Sequence, residues 1–148
     1  MKNEIMKHQL IMFIVMVIVG MSFNPMNMLA FRFNDLFLSA TLFYGGLIMA
    51  SNMIWAHEII HYIHHGKMNQ LVFVIGIILT IVTTLIIREQ IFVDDDQWLR
   101  RMISHHSTAL TTSHKIKEIT KNTELKKLAE DIIDTQEREI NQMKQLLS

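Results

Sequence analysis

The sequence predicts an all-α protein with three transmembrane helices followed by a two-helix antiparallel hairpin. Three long apolar runs occupy the first 93 of the 148 residues, whereas the rest of the chain is polar and spaces its apolar residues three and four apart. That spacing is typical of amphipathic helices. The chain contains no cysteine, which excludes disulfides and thiolate metal sites. We therefore expect a membrane anchor at residues 1–93 and a helical domain at residues 94–148.

The anchor contains three candidate spans, at about residues 7–23, 36–56 and 71–87. A hydrocarbon core about 30 Å thick needs roughly 20 apolar residues in a helix, and a helix satisfies its own backbone polar groups inside lipid. The first run could be mistaken for a signal peptide. It ends at Asn24 and Pro25 without a small-x-small cleavage site, so we interpret it as a retained span.

The charges beside the spans predict an orientation. With the N-terminus inside, the inner segments hold Lys2, Lys7 and Lys67, and the outer flanks hold Arg32 and Arg88. The positive-inside rule favours this arrangement, by three basic residues to two. We therefore expect a multi-pass protein of the cytoplasmic (inner) membrane, with the lipid bilayer as a partner and the C-terminal domain outside the cytoplasm.

The C-terminal domain begins with a helix start signal. Asp94 followed by Gln97 matches a capping box. The apolar stripe of the first helix contains Leu99, Met102, Ile103, His106, Ala109, Leu110, Ser113 and Ile116, and that of the second contains Leu125, Leu128, Ile132, Gln136, Ile140, Met143 and Leu147. A hairpin of this kind has one apolar face, and a second copy would complete a four-helix bundle. We therefore predict a homodimer through this domain.

The hairpin turn determines which residues of the two helices face one another. With a midpoint near Lys121, His106 lies opposite Gln136, and Met102 lies within a turn of Glu139 and Met143. Sulfur, imidazole, carboxylate and amide groups are therefore expected to meet in one region of the hairpin.

The hairpin sequence resembles a known family. The residues that carry the resemblance are Asp95, Trp98, Leu99, Met102, Ile103, Ser104, His105 and His106 in the first helix, and Leu128, Ala129, Ile132, Ile133, Gln136, Glu139, Ile140 and Met143 in the second. In this order and spacing, over about residues 94–147, they are similar to the DUF305 family, a domain of unknown function. The resemblance implies half of a ferritin-like four-helix bundle, and some members of the family bind copper outside the cytoplasm. Short members with a three-span anchor before one hairpin are similar to the whole chain.

Two positions depart from the pattern of the family. The family usually has proline where this chain has Ser104, and often an acidic residue where it has His114. Serine leaves the first helix without a proline kink, so the resemblance does not give the direction in which the side chains of His105 and His106 point. His114 adds an imidazole near the candidate site.

The resemblance implies a metal site in the hairpin, with copper as its ion. The predicted ligands are Met102, His105, His106, Glu139 and Met143, with Gln136 and His114 around them. Thioether and imidazole groups suit Cu(I), and imidazole with carboxylate extends the set to Cu(II). The alternative is a buried hydrogen-bonded layer that sets the register of the bundle. The protein would then be a structural or sensory membrane bundle without metal, and His105 would be a solvated residue.

A second histidine cluster lies at the end of the second span. His57, Glu58 and His61 form the pattern H-E-x-x-H, which on a helix suits a zinc metalloprotease, and His65 continues the same face. A catalytic zinc needs a third ligand, and the third span holds no acid or histidine. A separate metal site that uses His57, His61 and His65 is one alternative. An interfacial helix end, with its rings at the lipid headgroups, is the other and is favoured.

These observations together predict a membrane-anchored metal-binding protein that is not an enzyme. It would buffer copper outside the cytoplasm or pass it to a partner. The formal net charge is zero and no basic patch is present, so we expect no nucleic-acid partner.

Overall fold

The computed structural model describes residues 2–147, and these residues are helical with no β-strand. The elements are α1 (Lys2–Ser22), α2 (Pro25–Met28), a 3₁₀ turn (Phe33–Asp35), α3 (Ala40–His65), α4 (Gln70–Arg88), α5 (Asp95–Ile119) and α6 (Thr123–Leu147). The predicted all-α class is confirmed. The chain divides into two compact units, one built from α1, α3 and α4, and the other from residues 23–39 together with the chain that follows Phe92.

In the first unit, α3 packs against both α1 and α4. Glycines allow the backbones to approach closely where α1 crosses α3. A Cβ added at Gly46 would lie 2.7 Å from the carbonyl oxygen of Val17, and one added at Gly20 would lie 3.0 Å from the Cα atom of Gly46. Close approach at small residues is the usual way in which helices pack within membranes.

Hydrogen bonds connect α3 to the chain after α4 at one end, and to α1 and the start of α4 at the other. At one end, the hydroxyl of Tyr44 donates to the carbonyl oxygen of Ile91 over 2.9 Å. At the other end, the buried Glu58 accepts a 2.8 Å hydrogen bond from the backbone N–H of Asn69 and a 3.4 Å bond from Gln9. Successive helices therefore run in opposite directions.

Within the part of the chain that the structure describes, two segments are long and apolar enough to cross a membrane, Lys7–Met28 and Gln70–Arg88. The apolar runs of the sequence predicted three spans. The predicted span at 36–56 differs from the helix found there, since α3 begins at Ala40 and continues to His65. Polar residues such as Ser51 and Asn52, and the histidines of its last turns, interrupt the apolar sequence of α3.

The second unit contains the predicted hairpin. Asp94 is the N-cap of α5, and its side chain accepts a 2.8 Å hydrogen bond from the backbone N–H of Gln97. Helices α5 and α6 pack against each other along their length. Their buried apolar core consists of Leu99, Ile103, Leu110, Ile133, Ile140 and Met143.

The connection between α1 and α3, residues 23–39, belongs to the same unit as the hairpin. We call this connection the strap. Phe37 of the strap packs against the hairpin core, and Asp35 is fully buried. The hydropathy pattern predicted a loop as far as Asp35 and assigned residues 36–39 to the second span. The apolar face of the hairpin is therefore partly covered by the chain itself.

Candidate metal centre

A cavity of about 350 Å³ lies between α5 and α6. It is lined by Trp98, Leu99, Met102, His106, Glu139, Gln142, Met143 and Leu146. We call it the thioether pocket, because two methionines contribute to its wall. Four of the five ligands predicted from the sequence line it: Met102, His106, Glu139 and Met143.

The pairing of the two helices positions these four side chains. Met102 and His106 are four residues apart on α5, and Glu139 and Met143 are four apart on α6, so each pair shares one helix face. The antiparallel packing of α5 and α6 brings the two faces together. Met143 is 7% exposed and belongs to the hairpin core, and Met102 packs against that core. Packing thus holds both thioethers in place at the wall of the pocket.

His106 is the titratable group at the centre of the pocket. Its side chain is 13% exposed, and its Nδ1 atom lies 3.2 Å from a carboxylate oxygen of Glu139. The angles at this contact do not meet those of a hydrogen bond, and Nδ1 makes no hydrogen bond with the residues whose side chains are described, 7–147. Burial lowers the pKa of His106, the charge of Glu139 opposes this shift, and His105 adds slightly to the lowering. A neutral imidazole keeps a lone pair that can bind a metal ion.

The other predicted site residues lie outside the wall of the pocket. His105 is exposed to solvent, and its ring centroid is 5.9 Å from that of His106. Gln136 is half-buried. The ring of His114 stacks on Phe31 of the strap, with centroids 4.8 Å apart and planes 11° apart.

Gln142 lines the pocket and was missed by sequence reasoning. It lies on α6 next to Met143, outside the apolar stripe that guided the choice of candidate residues. The sequence signal that could have identified it is its spacing of three residues from Glu139.

Among the described side chains, those of residues 7–147, no group of three or more His, Cys, Asp or Glu residues is placed to hold a metal ion together. The donors at the thioether pocket are of a different kind: two thioethers, one imidazole and one carboxylate. Thioethers are soft ligands that suit Cu(I), whereas carboxylates suit harder ions. The donor set of the pocket fits a cuprous ion.

The second histidine cluster lies at the end of α3. The rings of His61 and His65 stack with centroids 4.6 Å apart, and His57 is 6.4 Å from His61. The Nδ1 atom of His61 lies 2.7 Å from the carbonyl oxygen of Lys67. The carboxylate of Glu58 accepts the backbone N–H of Asn69 at the start of α4, so its observed role is to connect two helices. A metal site at His57, His61 and His65 stays a prediction.

Comparison with known proteins supports the resemblance. A family model described as "Domain of unknown function (DUF305)" matches residues 88–147, which include the hairpin and the thioether pocket. The chain is also 42% identical over 125 residues to "Uncharacterized protein L153" of Acanthamoeba polyphaga mimivirus, a match that covers 84% of this chain and 81% of that protein. A match of this length includes a large part of the helices before the hairpin. No solved structure matches the chain.

Proposed function

The chain belongs to the DUF305 family, and from this premise we propose that it is a membrane-anchored protein that binds copper as Cu(I) in the thioether pocket. The observation that carries the proposal is that Met102 and Met143 line one pocket with His106, whose buried Nδ1 atom has no hydrogen-bond partner in the described residues. A buried polar atom without a partner is uncommon, because leaving it unsatisfied costs about 1–3 kcal/mol. A bound cation would satisfy it.

Each donor has a separate role in the proposed site. Met102, Met143 and His106 Nδ1 are the ligands, and their soft and borderline donor atoms select a cuprous ion over a hard divalent one. Glu139 is 41% exposed and lies at the edge of the pocket. Its negative charge offsets the charge of the ion and leaves the ion accessible to a partner. This arrangement suits buffering or transfer of copper and assigns no catalytic step.

The membrane anchor is supported by the exposure of its apolar helices. Only 6% of the most apolar window in Lys7–Met28 and 11% of that in Gln70–Arg88 is buried inside the protein. The core helix of a soluble protein would be mostly buried, whereas a lipid-facing helix is apolar on its outer surface. We propose that lipid covers these surfaces.

The segments that make up the second unit support three crossings of the membrane. The strap follows α1, the hairpin follows α4, and both belong to one compact unit, so they lie on the same side of a membrane. If α4 returns the chain to that side, the chain has to leave it first, and α3 is the helix between. We propose that α3 crosses too, with the N-terminus in the cytoplasm and the hairpin outside it.

The orientation can be tested with single cysteines, because the natural chain has none. A cysteine introduced at exposed Lys115 should react in intact cells with a thiol reagent that does not cross the membrane, and one at exposed His64 should react only after the cells are opened. The opposite pattern would reverse the proposed orientation.

Copper binding can be tested by titrating the full chain in detergent with Cu(I) against a cuprous chelator. We expect one site, whose affinity falls about a hundredfold or more in Met102→Leu/Met143→Leu, since two ligands are lost. The matched control is Met53→Leu/Met68→Leu, which removes two thioethers outside the pocket and should bind as the natural chain does. Equal binding by both double variants, or no binding by the natural chain, would refute the site.

A further inference from the structure

The strap is held on the hairpin by a buried carboxylate. Asp35 is 0% exposed, one of its oxygens accepts a 2.7 Å hydrogen bond from the hydroxyl of Ser107 on α5, and the other is paired with Lys144 on α6. The same side chain therefore bonds to both helices of the hairpin. A buried charge of this kind is tolerated only with a charged partner and further hydrogen bonds.

Two serines of α5 also form hydrogen bonds with the backbone of the strap. The hydroxyl of Ser104 donates to the carbonyl oxygen of Asp35 over 2.7 Å, and the hydroxyl of Ser107 accepts the N–H of Phe31 over 2.8 Å. These bonds set the register of the strap on the hairpin.

A second ion pair lies at the edge of the same surface. Arg32 of the strap is 2.6 Å from Glu137 of α6, and both side chains are more than two-fifths exposed. The strap thus brings an acid to Lys144 and a base to Glu137. These two residues of α6 are seven apart, which places them on one helix face.

A surface that carries both Lys144 and Glu137 on one helix face is complementary to itself. In a twofold-symmetric pair, a residue i of one copy meets j of the other, and j meets i. Lys144 of each copy can therefore meet Glu137 of its partner, with the axis near Asn141. The apolar residues beneath the strap would then be covered by a second hairpin, as in a four-helix bundle.

We propose that this face of the hairpin is an interaction surface for a second copy of the chain, and that the strap closes it through Asp35. With the strap docked, Lys144 and Glu137 are both paired within one copy of the chain. When the strap leaves, the same lysine and glutamate pair across a twofold axis and the hairpin dimerises. The homodimer predicted from the sequence therefore forms only when the strap is released. This inference does not depend on copper.

The full chain in detergent provides the test, with Asn141→Cys as the single reporter cysteine in a chain that has no other. Residue 141 is exposed and lies nearest the expected axis, and a disulfide needs its two Cβ atoms about 3.5–4.5 Å apart. Asp35→Asn removes the buried charge and leaves Lys144 unpaired, which should weaken docking of the strap about a hundredfold or more.

We expect two changes in Asp35→Asn. Hydrogen exchange of the peptide 29–38 should become at least about tenfold faster, and disulfide-linked dimers through Asn141→Cys should increase at least about tenfold. The control Glu118→Gln removes an exposed carboxylate of α5 that is paired with Lys115, and it should change neither result.

A second variant separates release of the strap from general unfolding. Asp35→Leu/Lys144→Met removes both charges together, which costs much less than removing one, so protection of the strap should return and the linked dimers should disappear. The proposal is wrong if Asn141→Cys already forms disulfide-linked dimers with the natural strap, or if Asp35→Asn releases the strap and forms none. It is also wrong if the strap of the double variant exchanges hydrogen as fast as that of Asp35→Asn.

Discussion

Gly46 is the position at which one added methyl group tests the packing of α1 on α3. A Cβ there would lie 2.7 Å from the carbonyl oxygen of Val17 and 2.9 Å from Cγ of Met21. The nearer atom belongs to the backbone of α1 and cannot rotate away. Gly46→Ala therefore forces the two helices apart.

The neighbouring glycine supplies a matched control, because a Cβ at Gly45 would meet nothing within 4 Å. Both substitutions occur in the same turn of α3, so both gain about 1 kcal/mol of helix propensity. Only Gly46→Ala overpacks the helix contact, at a cost of about 1–3 kcal/mol. The difference between the two variants isolates the cost of the close approach.

Thermal unfolding of the two variants in the same detergent, followed by far-ultraviolet circular dichroism, measures this difference. We expect Gly45→Ala to unfold at or above the temperature of the natural chain. Gly46→Ala should unfold below Gly45→Ala by about 2–12 °C, at 2–4 °C per kcal/mol for a chain of this size. Equal unfolding temperatures would show that α1 and α3 do not cross at Gly46.

Three further predictions concern single side chains. Burial lowers the pKa of His106 in the folded hairpin, so the folded state binds fewer protons than the unfolded state. Stability should be full above about pH 6.5 and fall as the pH drops through the folded pKa, and the slope of unfolding free energy against pH should flatten in His106→Gln. Phe92 is 85% exposed with a φ of 59°, so Phe92→Gly should raise the free energy of unfolding by about 1 kcal/mol, whereas Phe92→Ala should not. Glu58→Gln should lower the free energy of unfolding by about 1–3 kcal/mol, because it weakens a charge-assisted bond to the N–H of Asn69. Peptide cleavage should be absent from both the natural chain and this variant.

The helices of the hairpin were predictable because their signals are local. The capping residue Asp94, the apolar spacing of three and four and the short turn all lie within the segments that they define, and α5 begins at Asp95 as expected. The meeting of Met102 and His106 with Glu139 and Met143 followed from the same spacing, since an antiparallel hairpin has a fixed register once its turn is known.

The span assigned to 36–56 shows where local signals were insufficient. Its apolar content suggested that the helix begins at residue 36, but residues 36–39 belong to the strap and α3 begins at Ala40. Leu36 and Phe37 are apolar because Phe37 packs against the hairpin core. Hydropathy alone does not distinguish a residue that faces lipid from one that packs on another part of the protein.

The role of the strap depends on contacts between residues that are far apart in the sequence. Asp35 and Lys144 are separated by 109 positions, and no periodic pattern connects them. Nothing in the sequence pattern indicates that Asp35 is buried, because aspartate is mostly exposed in folded proteins. Its burial follows only from the packing of the strap on both helices.

Ser104 illustrates how one substitution can exchange one structural role for another. At the position where the resemblance led us to expect proline, this chain has a residue with a hydroxyl, and α5 continues without interruption from Asp95 to Ile119. That hydroxyl donates to the strap at Asp35, a bond that proline cannot make. A hairpin with proline at this position would lose one of the hydrogen bonds that set the register of the strap. Ser104→Ala should therefore loosen the strap while leaving α5 helical, whereas Ser104→Pro should disturb both.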